Sequence, residues 1–212
     1  MTVAIDPEVD VLLVVDVQPD FMPGGALAVP EGDEVVPVIN RLLIGPFRHA
    51  VTTQDWHPAD HISFASRHVG KQPFQEIDLP YGRQTLWPDH CVQGTPGAAL
   101  HPSLDQRRIE LVVRKGFRRA IDSYSAFREN DRRTATGLEA WIRARGFRRV
   151  FVTGLARGYC VDCSAEDAAA AGFATFVIED ACRGITPEAT EAGTARLLAA
   201  GVTLLRSDAL RS

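Results

Sequence analysis

Long apolar runs are missing from this sequence of 212 residues. None approaches the ~18 residues that a membrane span needs. The opening MTVAIDPEVD has no basic segment followed by an apolar one, so neither a membrane anchor nor a secretory signal is expected. Positive charge is not in excess either. The formal net charge is -4, which leaves no electrostatic footprint for nucleic acid or for an anionic membrane surface. Arginine-rich pieces such as Arg143-Ala144-Arg145 and Arg148-Arg149 are offset by acids and read as solvated faces. Cysteines number only four, too few for a disulfide scaffold, and a reducing cytoplasm is the expected setting. There is no internal repeat and no low-complexity linker. The length suits one α/β domain over residues 1–212 and is short for two.

Short β-branched runs alternate with helical patterns. Strands are expected at Val9–Val17, His49–Thr53, Ile109–Arg114, Arg149–Thr153, Ala174–Ile178 and Val202–Leu205. Helices are expected to begin at Val35, around Gly137, at Cys160 and after Thr186, where Pro187 and Glu188 supply a first-turn proline and acid. Such alternation predicts a three-layer α-β-α fold with a central six-stranded, mostly parallel sheet. The stretch Trp56–Leu104 is rich in Pro, Gly, His and Asp and has no sustained periodicity. A connection this long inside a compact domain is usually functional.

Ligands of open parallel sheets bind outside the carboxyl ends of the strands. The residues at four of those ends are Asp16 (VVDVQPDF), Asp55 (TTQDWH), Lys115 (VVRKG) and Cys160 (GLARGYCVDC). Each has a plain structural alternative: a turn carboxylate, a solvated turn lysine, a small buried thiol. Their coincidence on one sheet edge favours chemistry. A free thiol has a pKa of ~8.5 and needs help to attack a carbonyl. A helix N-terminus and a nearby ammonium favour thiolate, and a carboxylate can take the thiol proton and return it to a leaving amine. Asp16, Lys115 and Cys160 would be base, cation and nucleophile, with backbone N–H groups near Ala156 and Cys160 facing the oxyanion. In the long connection, Asp55 and His57 stand on alternate residues, so their side chains share a side of an extended segment. With His61 and His90 they form a donor set suited to a divalent ion such as Zn, Fe or Mn. Loop histidines bonded to backbone are the alternative.

The segments VVDVQPDFMPGGALAV, TTQDWHPADHISFAS, LWPDHCVQGTPGA, VVRKG and GLARGYCV together resemble the nicotinamidase/pyrazinamidase branch of the isochorismatase-like cysteine hydrolase superfamily. They occur in the expected order over nearly the whole chain. The resemblance implies a Rossmann-like topology and the deamidation of nicotinamide, and of pyrazinamide with it, through a cysteine thioester in NAD salvage. It implies Asp16, Lys115 and Cys160 as the catalytic set and Asp55, His57 and His90 as ligands of one divalent metal holding the pyridine nitrogen. It further implies Phe21 and Trp87 around the ring, and a cis Leu155–Ala156 peptide. His61 is a ligand in some relatives only. The expected partner is a small molecule, not nucleic acid or membrane, and a homo-oligomer is left open.

One departure stands out. Relatives usually place Ala-Thr-Asp or Ala-Leu-Asp before the aromatic–Cys pair, and this chain has Ala156-Arg157-Gly158. If Arg157 faces the pocket it should lower the thiol pKa; if it faces solvent, only the loop geometry changes. For the C-x-x-C pair, a redox reading leaves Asp16, Lys115 and the D-W-H segment unexplained, and structural zinc lacks a second ligand pair. Cys160 is therefore read as the nucleophile and Cys163 as packing, with an oxidative Cys160–Cys163 disulfide as a variant reading. Cys91 and Cys182 are read as small buried apolars. Another small-amide or carbamoyl hydrolase is the enzymatic alternative. Isochorismatase chemistry fits less well, because vinyl-ether hydrolysis does not call for a thiol, and a silent ligand sensor would not need the full set.

Overall fold

A computed structural model describes residues 2–211. In chain order the strands are β1 Val3–Ala4, β2 Asp10–Val15, β3 Ala50–Asp55, β4 Glu76–Leu79, β5 Gly82–Thr85, β6 Ile109–Lys115, β7 Arg149–Arg157, β8 Ala174–Gly184, β9 Thr203–Leu205 and β10 Leu210–Arg211. The α-helices are α1 Val35–Ile44, α2 Leu138–Ala144, α3 Cys160–Ala170 and α4 Pro187–Ala199. Six strands form the central sheet in the order β6-β3-β2-β7-β8-β9, and every neighbouring pair in it is parallel. Strand order reverses between β2 and β7, which opens a crevice at their carboxyl ends.

Alternation along β2 explains the layers. Leu12 and Val14 pack with α1 residues Val35, Ile39 and Leu43 on one face. Val11, Leu13 and Val15 pack with Leu138 and Ile142 of α2, Val161 and Ala165 of α3 and Leu197 of α4 on the other. Both faces are covered, so β2 from Val11 to Val15 is an unbroken apolar run rather than an alternating one. Helix α4 starts as the sequence predicts, with the Thr186 hydroxyl accepting from the Ala189 N–H at 3.1 Å and Pro187 in the first turn.

Two differences from expectation appear. Strands β7 and β8 run past Thr153 and Ile178 to Arg157 and Gly184, because irregular pairing admits polar residues that end the apolar run. The long connection also contains the antiparallel β4–β5 hairpin, whose four-residue strands are too short, and β5 too polar, to show a sustained period. Among the described residues no helix is long and apolar enough to cross a membrane.

Candidate active site

Asp16 follows directly on β2, at the reversal of strand order. Its φ is +48°, a left-handed conformation that Asp tolerates better than most residues. Thr53 of β3 holds it there. The threonine hydroxyl accepts from the Asp16 N–H at 3.0 Å and donates to Asp16 Oδ1 at 2.5 Å. Asp16 Oδ2 lies 2.8 Å from Lys115 Nζ but off the line of a hydrogen bond. That oxygen therefore has a neighbouring charge and a free lone pair.

Lys115 ends β6 and is wholly buried. Its ammonium donates to Asp55 Oδ1 at 2.6 Å, to the Ser123 carbonyl at 3.0 Å and to Cys160 Sγ at 3.3 Å. Cys160 opens α3, and its sulfur lies within 4.8 Å of carboxylate oxygens of both Asp16 and Asp55. The acid, the amine and the thiol thus converge as the sequence suggested.

Their protonation follows from burial and charge. Burial would lower the Lys115 ammonium, but Asp16, Asp55 and Cys160 outweigh it and hold its pKa well above the ordinary lysine value. Burial raises the Asp16 carboxyl, with Lys115 opposing. The Cys160 thiol is pushed well above its usual value, first by burial and then by Asp16 and Asp55, against the pull of Lys115. The ammonium does pull the thiol toward thiolate, as expected, but burial and two carboxylates outweigh it.

The second cluster lies next to the first. His57 Nε2 and His90 Nε2 are 3.4 and 3.8 Å from Asp55 Oδ2. His57 Nδ1 donates to the Gly116 carbonyl at 2.8 Å and His90 Nδ1 to the Pro88 carbonyl at 2.7 Å. A carbonyl only accepts, so each ring carries a proton on Nδ1, and in the neutral form its Nε2 lone pair faces the carboxylate. Two lone pairs and a carboxylate oxygen meeting in a buried space call for a cation between them, and the donor set fits a divalent metal. Gly116 is required for this: its φ is +64°, and a Cβ there would run into the His57 ring. His61 stands apart from Asp55 and His90 but shares a second possible metal-holding group with His57 and Asp122. Its Nε2 donates to the Ile121 carbonyl at 3.2 Å and its Nδ1 accepts from Ser63 Oγ at 2.7 Å.

Cys160 of the first cluster and Asp55, His57 and His90 of the second open into one cleft, a concave setting of the kind that takes small molecules. Phe21, Trp87, Ala156 and Cys160 line it, as expected, and so do Tyr124, Tyr159 and Asp122, which sequence reasoning missed. Trp87 packs edge-on to Tyr124 and Tyr159 with ring centroids 6.2 and 5.0 Å apart. Its indole N–H donates to the Tyr124 hydroxyl at 3.1 Å. The Leu155–Ala156 peptide is cis.

Arg157 takes neither anticipated placement. It is buried away from the cleft and donates from Nε to Asp162 Oδ1 at 2.7 Å. All four cysteines are free thiols; Cys91 and Cys182 are buried as expected, whereas Cys163 is partly exposed.

The Isochorismatase domain family matches residues 10–209. This chain belongs to that family. Within it, the chain is 52% identical over 197 residues to the nicotinamidase of Acinetobacter baylyi, covering 92% of each chain. Among solved structures it is similar to a protein from L. infantum in complex with nicotinate, with a TM-score of 0.89 and 42% identity over 100% of this chain and 99% of that one. It is also similar to a pyrazinamidase of Pyrococcus horikoshii in complex with zinc, with a TM-score of 0.76 and 36% identity over 94% and 99% of the two chains.

Proposed function

We propose that this protein is a nicotinamidase, hydrolysing nicotinamide to nicotinate and ammonia through a thioester on Cys160, with pyrazinamide as a further substrate. The observation that carries the reading is the contact of Lys115 with Asp55 and Cys160, and its 2.8 Å approach to Asp16, at the wall of an aromatic cleft. The relatives' named activities support the choice of substrate.

Asp16 Oδ2 takes the proton of the Cys160 thiol as the sulfur attacks the carboxamide carbon. The Ala156 and Cys160 N–H groups receive the oxyanion. Collapse breaks the C–N bond, and Asp16 returns the proton to the departing ammonia. Water then attacks the thioester with Asp16 again as base, releasing nicotinate and restoring the thiol. Lys115 holds both carboxylates in place and keeps Asp16 ionised beside a neutral thiol. Phe21 and Trp87 bind the faces of the pyridine ring.

Asp55, His57 and His90 would hold the divalent metal, Zn, Fe or Mn. Its chemistry when bound is that of a Lewis acid for the ring nitrogen, orienting the carboxamide toward Cys160. Residues 1–212 are read as one hydrolase domain, in keeping with a family match over 10–209. Four free thiols suit a reducing cytoplasm.

Ammonia release from nicotinamide by the purified, metal-loaded protein tests the proposal. Turnover that vanishes in Cys160→Ala is expected. Hydrolysis of carbamoyl substrates with no turnover of nicotinamide would transfer the protein to the alternative amidase class.

A further inference from the structure

The junction between β7 and α3 carries a buried ion pair that the reaction above does not use. Asp162, in the first turn of α3, has no exposed surface, and Arg157 is 4% exposed. Both carboxylate oxygens are engaged: Oδ1 accepts from Arg157 Nε at 2.7 Å and Oδ2 from the Gly158 N–H at 2.8 Å. The second contact has the logic of a capping box, an acid of the first turn reaching back to a backbone donor ahead of the helix. Arg157 Nη2 donates to Thr194 Oγ1 at 2.9 Å, and Arg196 Nη2 donates to the Gly158 carbonyl at 3.2 Å. Residues 157 and 158 are therefore gripped from α3 and α4 at once.

The fit is tight. Gly158 has a φ of +85°, and a Cβ on it would come 2.8 Å from the Ala189 carbonyl oxygen. A Cβ on Gly193 of α4 would overlap Asp162 Oδ2. Helix α4 thus reaches the loop because two glycines leave room for the carboxylate and the turn. The pair is also internally neutral. The charged groups that lie against the Cys160 sulfur are Lys115, Asp16 and Asp55, whereas Arg157 is engaged by Asp162 and Thr194. Whatever the pair does for the thiol, it does by geometry.

We infer that Arg157 and Asp162 are positioning residues: their ion pair fixes the backbone from Ala156 to Cys160, and so aims the Cys160 sulfur and the neighbouring amides at the carbonyl carbon and oxygen of the substrate. The inference rests on the amidase reading. In this chain Asp162, in the first turn of α3, supplies the acid that holds the loop, and Arg157 is its counter-charge.

The test compares the full-length, metal-loaded protein with Asp162→Asn and Arg157→Lys, using two probes. Nicotinate binding reports the ring site alone. Nicotinaldehyde reports aim, because the Cys160 sulfur adds to its carbonyl carbon while the thiol proton passes to the oxygen, giving a hemithioacetal that needs both nucleophile and oxyanion donors. In folded variants kcat should fall on the order of 10- to 100-fold, the loss expected of a misplaced reacting group. Nicotinaldehyde affinity should fall in parallel, with KM and nicotinate affinity nearly unchanged. Arg157→Lys, which keeps the charge, should lose less than Asp162→Asn. Unchanged kcat, or equal losses for nicotinate and nicotinaldehyde, overturns the inference. Thr194→Val, which removes one anchor of Arg157 and keeps the ion pair, supplies the same comparison at smaller amplitude if Asp162→Asn does not fold. Should the unmodified protein release no ammonia from nicotinamide, the amidase reading falls. The clamp is then decided by iodoacetamide alkylation of Cys160, slowed in the variants if it exists and unchanged if it does not.

Discussion

Gln18 offers a sharp test of how the fold holds the metal-site carboxylate. The side chain is wholly buried two residues beyond Asp16. Its amide N–H₂ donates to the Asp55 and Ala98 carbonyls, both at 2.9 Å, and its oxygen accepts from the Asp55 N–H at 2.8 Å. The backbone of β2 has ended by this point, and the glutamine amide continues its hydrogen-bond ladder to β3. In Gln18→Ala the Asp55 N–H and C=O both lose their partners. Each unsatisfied buried group costs about 1–3 kcal/mol, so the total is about 2–6 kcal/mol, a large share of a typical stability of about 5–15 kcal/mol. Gln54 is the control. Its amide donates to the same Ala98 carbonyl at 2.7 Å, but its loss leaves that carbonyl still bonded to Gln18. Gln54→Ala should cost about 1 kcal/mol. Urea unfolding monitored by circular dichroism measures both, and metal content of the folded variants shows whether Asp55 has moved. Equal losses for the two glutamines, or a loss below about 1 kcal/mol for Gln18→Ala, would refute the ladder argument.

Further outcomes follow from the same geometry. Asp16→Asn should lower kcat by about 10²–10⁴-fold, the usual worth of a general base. Burial raises the Asp16 carboxyl, and the base must be ionised. Activity of the unmodified protein is therefore lost as pH falls through a midpoint above the ordinary value of about 3.9; an acid limb at or below that value in a kcat/KM profile would contradict this. Chelation should abolish turnover, with add-back restoring it, while Asp55→Ala and His90→Ala should leave folded protein that no longer retains metal; full activity in metal-free protein would remove the ring-anchor role. Gly158→Ala should destabilise by more than about 1 kcal/mol in thermal melts, since its left-handed conformation and the Ala189 carbonyl both resist a side chain.

Asp16 and Lys115 were legible because each stands at the carboxyl end of an expected strand. Asp16 follows VLLVV and Lys115 follows IELVVR, so polarity and strand end coincide. The D-x-H pair was legible because an extended segment repeats every two residues. The β4–β5 hairpin was not, since the alternation of Glu76–Leu79 is only four residues long and Gly82–Thr85 has no apolar residue to continue it. Tyr124 was missed for a related reason. It sits in an irregular segment, and its place beside Trp87 is set by long-range hydrogen bonds to Trp87 and Gln84. The partner of Arg157 was hidden as well, because a spacing of five residues across a loop–helix junction matches neither the helical nor the strand period.

The Cys160 thiol presents a reversal of the simple reading. A cysteine at a helix start beside a lysine invites the assignment of a standing thiolate. Here the lysine is shared with Asp16 and Asp55, and burial with the two carboxylates pushes the thiol up despite the pull of Lys115. In the proposed mechanism the base is as necessary as the nucleophile, and Asp16 sits fully buried with one oxygen pinned by Thr53 and the other without a hydrogen-bond partner.

The most direct measurement is rapid quenching of the metal-loaded protein with nicotinamide, followed by mass spectrometry of the peptide that contains Cys160. The account predicts a nicotinoyl thioester on that cysteine, formed and lost at rates that match ammonia release, with neither adduct nor turnover in Cys160→Ala. Steady release of ammonia by Cys160→Ala would contradict it.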